Sequence, residues 1–147
     1  MKMLTKILGI CLLAMIVSLC YYGTIYATGN NQAIQRAAGL SGVFNFPNPF
    51  NPKSSDTDQN KTTIVYVLTE NCKVTIWIYN SIGDLVRKLE YVSGDTGGKT
   101  GTNRVTWNGR NGDGMIVANG VYITQIIAEP ASGGSSVKET RKIAVVK

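Results

Sequence analysis

From Val43 onward the chain never sustains an apolar repeat of 3.6 residues. Its apolar side chains come in short runs that alternate with polar ones. Lys73–Tyr79 (KVTIWIY) is the cleanest, with Val74, Ile76 and Ile78 pointing one way and Thr75, Trp77 and Tyr79 the other. Thr62–Leu68 (TTIVYVL) places Ile64, Tyr66 and Leu68 on one face in the same manner. Leu85–Val92, Arg104–Trp107, Val121–Ala128 and Val137–Val146 continue the series. Turn signals separate these runs: NSIGD (Asn80–Asp84), the glycine-rich SGDTGGKTGTN (Ser93–Asn103), NGRNGDG (Asn108–Gly114), Asn119-Gly120, and Pro130 with its SGGSS loop. Glycine and asparagine supply the positive φ that tight hairpin turns require. A period of two broken this often rules out helical architectures. It predicts an all-β fold, an antiparallel β-sandwich of about seven strands.

The first 27 residues have a different character. Lys2 and Lys6 precede the apolar run Ile7–Cys20, and the small Ala27 follows. That shape predicts a helical secretory signal peptide over residues 1–27, cut after Ala27. The alternative is an uncleaved anchor, because Ile7–Ala27 matches the roughly 20 residues that span a bilayer. Leu19 stands before Cys20, where a lipobox wants a small residue, so lipid attachment is disfavoured. The expected organisation is therefore a signal at 1–27, a flexible lead-in at 28–42 and one sandwich domain at 43–147. Loss of the signal removes Lys2 and Lys6 from 15 basic residues and leaves all nine acidic ones, for a net charge of +4. Lys53, Lys61, Lys73, Arg87 and Lys88 are scattered between apolar runs, as on solvated strand faces, so no nucleic-acid stripe is present.

Three of the four prolines fall within NFPNPFNP, Asn45–Pro52. Proline fixes φ, removes an amide donor and pushes the preceding residue extended. Pro47, Pro49 and Pro52 would stiffen the segment, Asn48 and Asn51 would bond backbone groups left free by the ladder, and Phe46 and Phe50 would pin it to the core. The stretch reads as a stiff first edge strand and clasp.

Little chemistry is on offer. The chain has no histidine, which removes Ser-His and Cys-His nucleophile systems and histidine-containing zinc sites. Beyond the signal, Cys72 is the lone thiol, so no internal disulfide, dithiol cycle or cysteine metal cluster can form; it reads as a small buried hydrophobe. No phosphate-cradling glycine motif occurs. Asp56–Asn60 lacks the following glycine and the distant bidentate glutamate of calcium loops, Asn111–Gly114 offers only two side-chain oxygens, and both read as solvated turns. Asn60-Lys61-Thr62 is formally a glycosylation sequon, expected to be unused. Trp107, at a strand end, reads as a core cover. Trp77 and Tyr79, opposite the apolar face of their strand, are the candidate binding surface. Catalytic, cofactor-binding and metal-binding residues are therefore each expected to be none.

Taken in order, NFPNPFNP, I-Y-N-x-x-G-x-L-V (Ile78–Val86), W-N-G-R-N (Trp107–Asn111), N-G-V-Y (Asn119–Tyr122) and a short final strand resemble the Ig-like domain of the bacterial flagellar hook-capping protein. They equally resemble the related C-terminal sorting modules of the type IX secretion system. The resemblance runs from about Phe44 to Lys147. It implies an Ig-like or fibronectin-like sandwich and gives structural roles to the motif residues Pro47, Asn48, Pro49, Phe50, Asn51, Pro52, Gly83, Trp107, Gly109, Asn119, Gly120 and Tyr122. The expected function is that of an exported, non-enzymatic stand-alone module with a structural, adhesive or assembly role at the bacterial cell surface. The periplasm is the alternative location. Its partners would be proteins or copies of itself, met through sheet edges, with the lead-in as a strand donated to a neighbour; membrane contact would come only through the signal. Two alternatives are a secretion or surface-attachment signal module and a hook-assembly accessory, the latter disfavoured by the general secretory signal.

Overall fold

The computed structural model describes residues 39–147; the expected signal peptide and most of the lead-in lie outside the described residues. Seven strands follow one another, with no helix among the described residues: β1 (Leu40–Phe46), β2 (Thr62–Leu68), β3 (Cys72–Tyr79), β4 (Leu85–Tyr91), β5 (Gly101–Trp107), β6 (Gly120–Pro130) and β7 (Val137–Val145). They form two antiparallel sheets, three-stranded β1-β2-β5 and four-stranded β4-β3-β6-β7.

The alternation in sequence becomes the division between inside and outside. Ile64, Tyr66 and Leu68 of β2 face Val74, Ile76 and Ile78 of β3 across a core completed by Val105, Trp107, Ile126, Ala128 and Ile143. Burying side chains of this size stabilises by about 1.5–3 kcal/mol each, which is how a domain with its single thiol unpaired holds together. Cys72 is buried, and burial pushes its thiol pKa up.

Three expectations need correction. The domain does not start at Val43, because β1 begins at Leu40, which is buried and pairs with Leu68. The proline stretch is not the first edge strand: β1 ends at Phe46, and Pro47–Pro52 leave the three-stranded sheet for the other one. Phe46 does not pin the segment, being 48% exposed on the outer face, whereas Phe50 is 2% exposed. The physical reason is an irregularity in β1 between Ser41 and Phe44, where Gly42 takes φ +60°. The shift turns Val43 to the core and both phenylalanines outward.

The glycine-rich loop after β4 is packed, not slack. Gly97 and Gly98 are buried. A Cβ on Gly98 would lie 2.2 Å from the Val92 carbonyl oxygen and 2.6 Å from that of Cys72. The Tyr66 hydroxyl donates to the Gly97 carbonyl (2.6 Å), and Asn103 accepts from the Gly97 amide (3.1 Å) while donating to the carbonyls of Lys99 (2.7 Å) and Gly101 (3.1 Å). The loop therefore closes one end of the sandwich and delivers β5, which starts three residues earlier than its apolar run suggests.

Candidate functional site

Most of the motif residues converge at the opposite end. Phe50 meets Trp107 edge to face at 5.6 Å, and Trp107 meets Tyr122 likewise at 5.4 Å, in arrangements favourable for aromatic quadrupoles. The Trp107 indole donates to the Arg110 carbonyl (3.0 Å). The Tyr122 hydroxyl donates to the Ala118 carbonyl (2.8 Å), the tyrosine corner of Ig-like sandwiches. Gly109 has φ +67°, and a Cβ there would stand 2.8 Å from Pro52. Asn119 accepts from the Lys147 amide (3.0 Å). Gly120 opens β6 with φ +152°.

Pro47–Pro52 complete this end by covering an edge. Asn48 accepts from the Ala144 amide (2.8 Å) and donates to the Lys142 carbonyl (3.0 Å), so its side-chain amide stands in for a strand's peptide group. Phe50 then donates to the Ala144 carbonyl (3.1 Å) and accepts from the Val146 amide (3.0 Å). Asn51 caps the following turn by accepting from the Lys53 amide (2.9 Å). Pro47, Pro49 and Pro52 bring no amide of their own that would need a partner.

Gly83 lies elsewhere, in the β3–β4 turn, and belongs to a pair of matched loops. Asn80 accepts from the amides of Ile82 (3.1 Å) and Asp84 (2.9 Å), with Gly83 at φ +94°. Asn111 accepts from Asp113 (3.1 Å) and Met115 (2.9 Å), with Gly114 at φ +81°. The two loops border an open cleft of about 650 Å³ with Asp84, Arg87, Asn111 and Asp113 on its walls. Its polar groups are largely spoken for: Asn80 donates to the Asp84 carboxylate (3.0 Å), and Arg87 donates to the Asn111 carbonyl (2.9 Å).

Trp77 and Tyr79 lie half-buried on the outward side of β3. The Lys88 ammonium sits 4.8 Å over the Trp77 ring and 2.8 Å from Glu90, whose carboxyl it holds below the usual carboxylate range. The indole face is thus capped by the protein itself.

The other outer face, that of β1-β2-β5, went unnoticed in the sequence. Phe44 and Phe46 stack there, ring centroids 6.0 Å apart, each about half exposed. Cross-strand rows run Phe44–Val65–Arg104 and Phe46–Thr63–Thr106. Beside Phe46 and Pro47 opens a recess of about 390 Å³ flanked by Asp58, Gln59 and Lys61. A strict alternation, with the shift at Gly42 placed correctly, would have revealed these two rings.

Residues 51–132 match the family model described as the FlgD Ig-like domain. No curated protein matches the chain in sequence. Among solved structures, the chain is similar to PorU of Porphyromonas gingivalis, a dimeric latent form (20% identity, TM-score 0.56, covering 74% of this chain and 9% of that one). It is also similar to PorZ, a bacterial surface component of the type IX secretion system of the same organism (27% identity, TM-score 0.44, 72% and 12%). CopC from Methylosinus trichosporium OB3b aligns at 14% identity (TM-score 0.44, 74% and 92%). The chain spans about a tenth of the length of the PorU and PorZ chains, and the PorU likeness is one of fold.

Proposed function

The chain belongs to the FlgD Ig-like domain family, and from that premise we propose that it is an extracytoplasmic, non-enzymatic module that docks to protein within a surface assembly. The observation that carries this reading is the stacked Phe44–Phe46 pair, half-exposed on the outer face of β1-β2-β5. Neighbouring exposed aromatics rimmed by polar side chains mark interaction surfaces. A docking role is further supported by the side chains that could do chemistry: Asn80, Asp84, Asn111 and Arg87 are engaged in closing turns. The partner is a protein, copies of this chain included.

Cross-linking of the native surface fraction tests it. The wild-type chain is expected in a high-mass adduct that a Phe44→Ser/Phe46→Ser variant loses while its melting temperature holds. Recovery of the wild type only as a free monomer, or an adduct indifferent to the double substitution, overturns it. Family membership favours one second reading, an accessory of flagellar hook assembly, which predicts co-fractionation with hook–basal bodies and impaired motility on deletion.

A further inference from the structure

Exposed strand edges invite pairing with other chains, and folded proteins usually blunt them. Three of the four edges here are blunted. The β7 edge is covered by Asn48 and Phe50. On β4, the Val86 carbonyl is taken by the Gly112 amide, the ladder to β3 is irregular at Ile78/Tyr79, and the remaining length carries Lys88 and Glu90. On β1, an irregularity breaks the strand and Arg141 reaches across to donate to the Val43 carbonyl (2.7 Å).

The fourth edge, β5, has none of these devices. It pairs with β2 over all seven residues without a shift, contains no proline, and ends its sheet. Among the described residues, no backbone group of Thr102–Trp107 bonds to any other segment beyond the β2 ladder. Its chemistry is one-sided. None of β1, β2 or β5 carries an acidic residue, and their one charge is Arg104, exposed and in no ion pair among the described residues. Lys99 precedes the strand and Arg110 follows it. Thr102 and Thr106 flank Arg104 on the same outward face.

We propose that the β5 edge is a docking strand for an extended, acidic polypeptide segment, which adds to β1-β2-β5 as a fourth strand. Backbone pairing supplies the affinity, and a carboxylate opposite Arg104, between β-branched neighbours facing Thr102 and Thr106, supplies the selectivity. A second copy pairing through its own β5 about the same centre would set Arg104 against Arg104, which disfavours the homotypic arrangement. The inference deepens the docking reading above and rests on it.

Labelled ten-residue peptides alternating valine and threonine around two central glutamates, titrated into the purified full chain at low salt, test the edge. The glutamate peptide is expected to bind and to slow amide exchange across Thr102–Thr106. Its lysine counterpart should bind about fivefold more weakly or worse, and alternate backbone N-methylation should abolish binding. Arg104→Glu, at an exposed position, should keep the fold and reverse the glutamate–lysine preference. Equal affinity for both peptides, no binding of the glutamate peptide, protection confined to β1 or β4, or a chain that dimerises through β5 overturns the proposal. Any of these results can coexist with the Phe44/Phe46-dependent adduct, so loss of the edge hypothesis is separable from loss of the docking reading.

Discussion

Along β7, Asn48 and Phe50 fill the outward backbone positions of Lys142–Val146; along β5, no described residue fills the corresponding positions of Thr102–Trp107. Both strands edge their sheets, and both have apolar inner residues that hold them in place. The difference is what arrives from elsewhere in sequence. β7 receives a segment roughly 95 residues earlier whose asparagine offers a donor and an acceptor and whose prolines leave no amide to satisfy. Among the described residues β5 receives nothing on its outer side, because the loop that precedes it turns inward to Tyr66 and Asn103. An edge is closed by polar geometry, and a strand can be equally well anchored with or without that closure.

The largest break in this comparison is expected from Phe50→Ala. It removes the buried ring packed on Trp107 and should cost about 3–5 kcal/mol, read by urea denaturation. In native-state exchange, the Ala144 and Val146 amides should become fast while those of β5 keep their rates. Next comes Asn103→Ala. This leaves the buried Gly97 amide and the carbonyls at Lys99 and Gly101 short of partners, and a loss of about 2–3 kcal/mol is expected, with the β7 edge undisturbed. Asn48→Ala sharpens the contrast with a smaller penalty, about 1 kcal/mol on an exposed pair of bonds, and selective exchange of Ala144. An unchanged Ala144 rate would show that Phe50 alone closes the edge.

The smallest effect is one of pH. Burial raises the phenol pKa of Tyr66 above its ordinary 10.0, and burial raises Tyr91 and Tyr122 in the same direction. The folded state therefore holds these protons more tightly than the unfolded one. Their contribution is complete below pH 10.0 and drains away as pH rises beyond it toward the folded values. Unfolding free energy should begin to fall near pH 10 and keep falling above it, and Tyr66→Phe should flatten that decline while costing about 1 kcal/mol at neutral pH.

Strand positions were legible because the core-facing side chains recur at every second residue, Ile64, Tyr66 and Leu68 in one run and Val74, Ile76 and Ile78 in another. The start of β1 was not, because the shift at Gly42 breaks that period over the few residues where it would have shown. Phe46 was misassigned for the same reason. Gly97 and Gly98 are defined by close backbone approach, which leaves no side-chain pattern to read and looks like flexibility in sequence. The matched loops had a signal that went unused: Asn80…Gly83 and Asn111…Gly114 share the same spacing between the capping asparagine and the glycine at positive φ. The aromatic pair Phe44–Phe46 and the openness of β5 depend on which strands become neighbours, and local periodicity does not encode that.

The clasp also sets a schedule. Asn48 and Val43 bond residues 94 to 98 positions away, at Lys142, Ala144 and Arg141. A chain that emerges residue by residue, from a ribosome or through a membrane pore, can pair β1 with β2 early, but the aromatic end stays unlatched until Arg141–Val146 have appeared. Contacts of such long sequence separation form late and slowly. The aromatic end thus has a built-in delay, locking only once the last strand of the domain is available to close it.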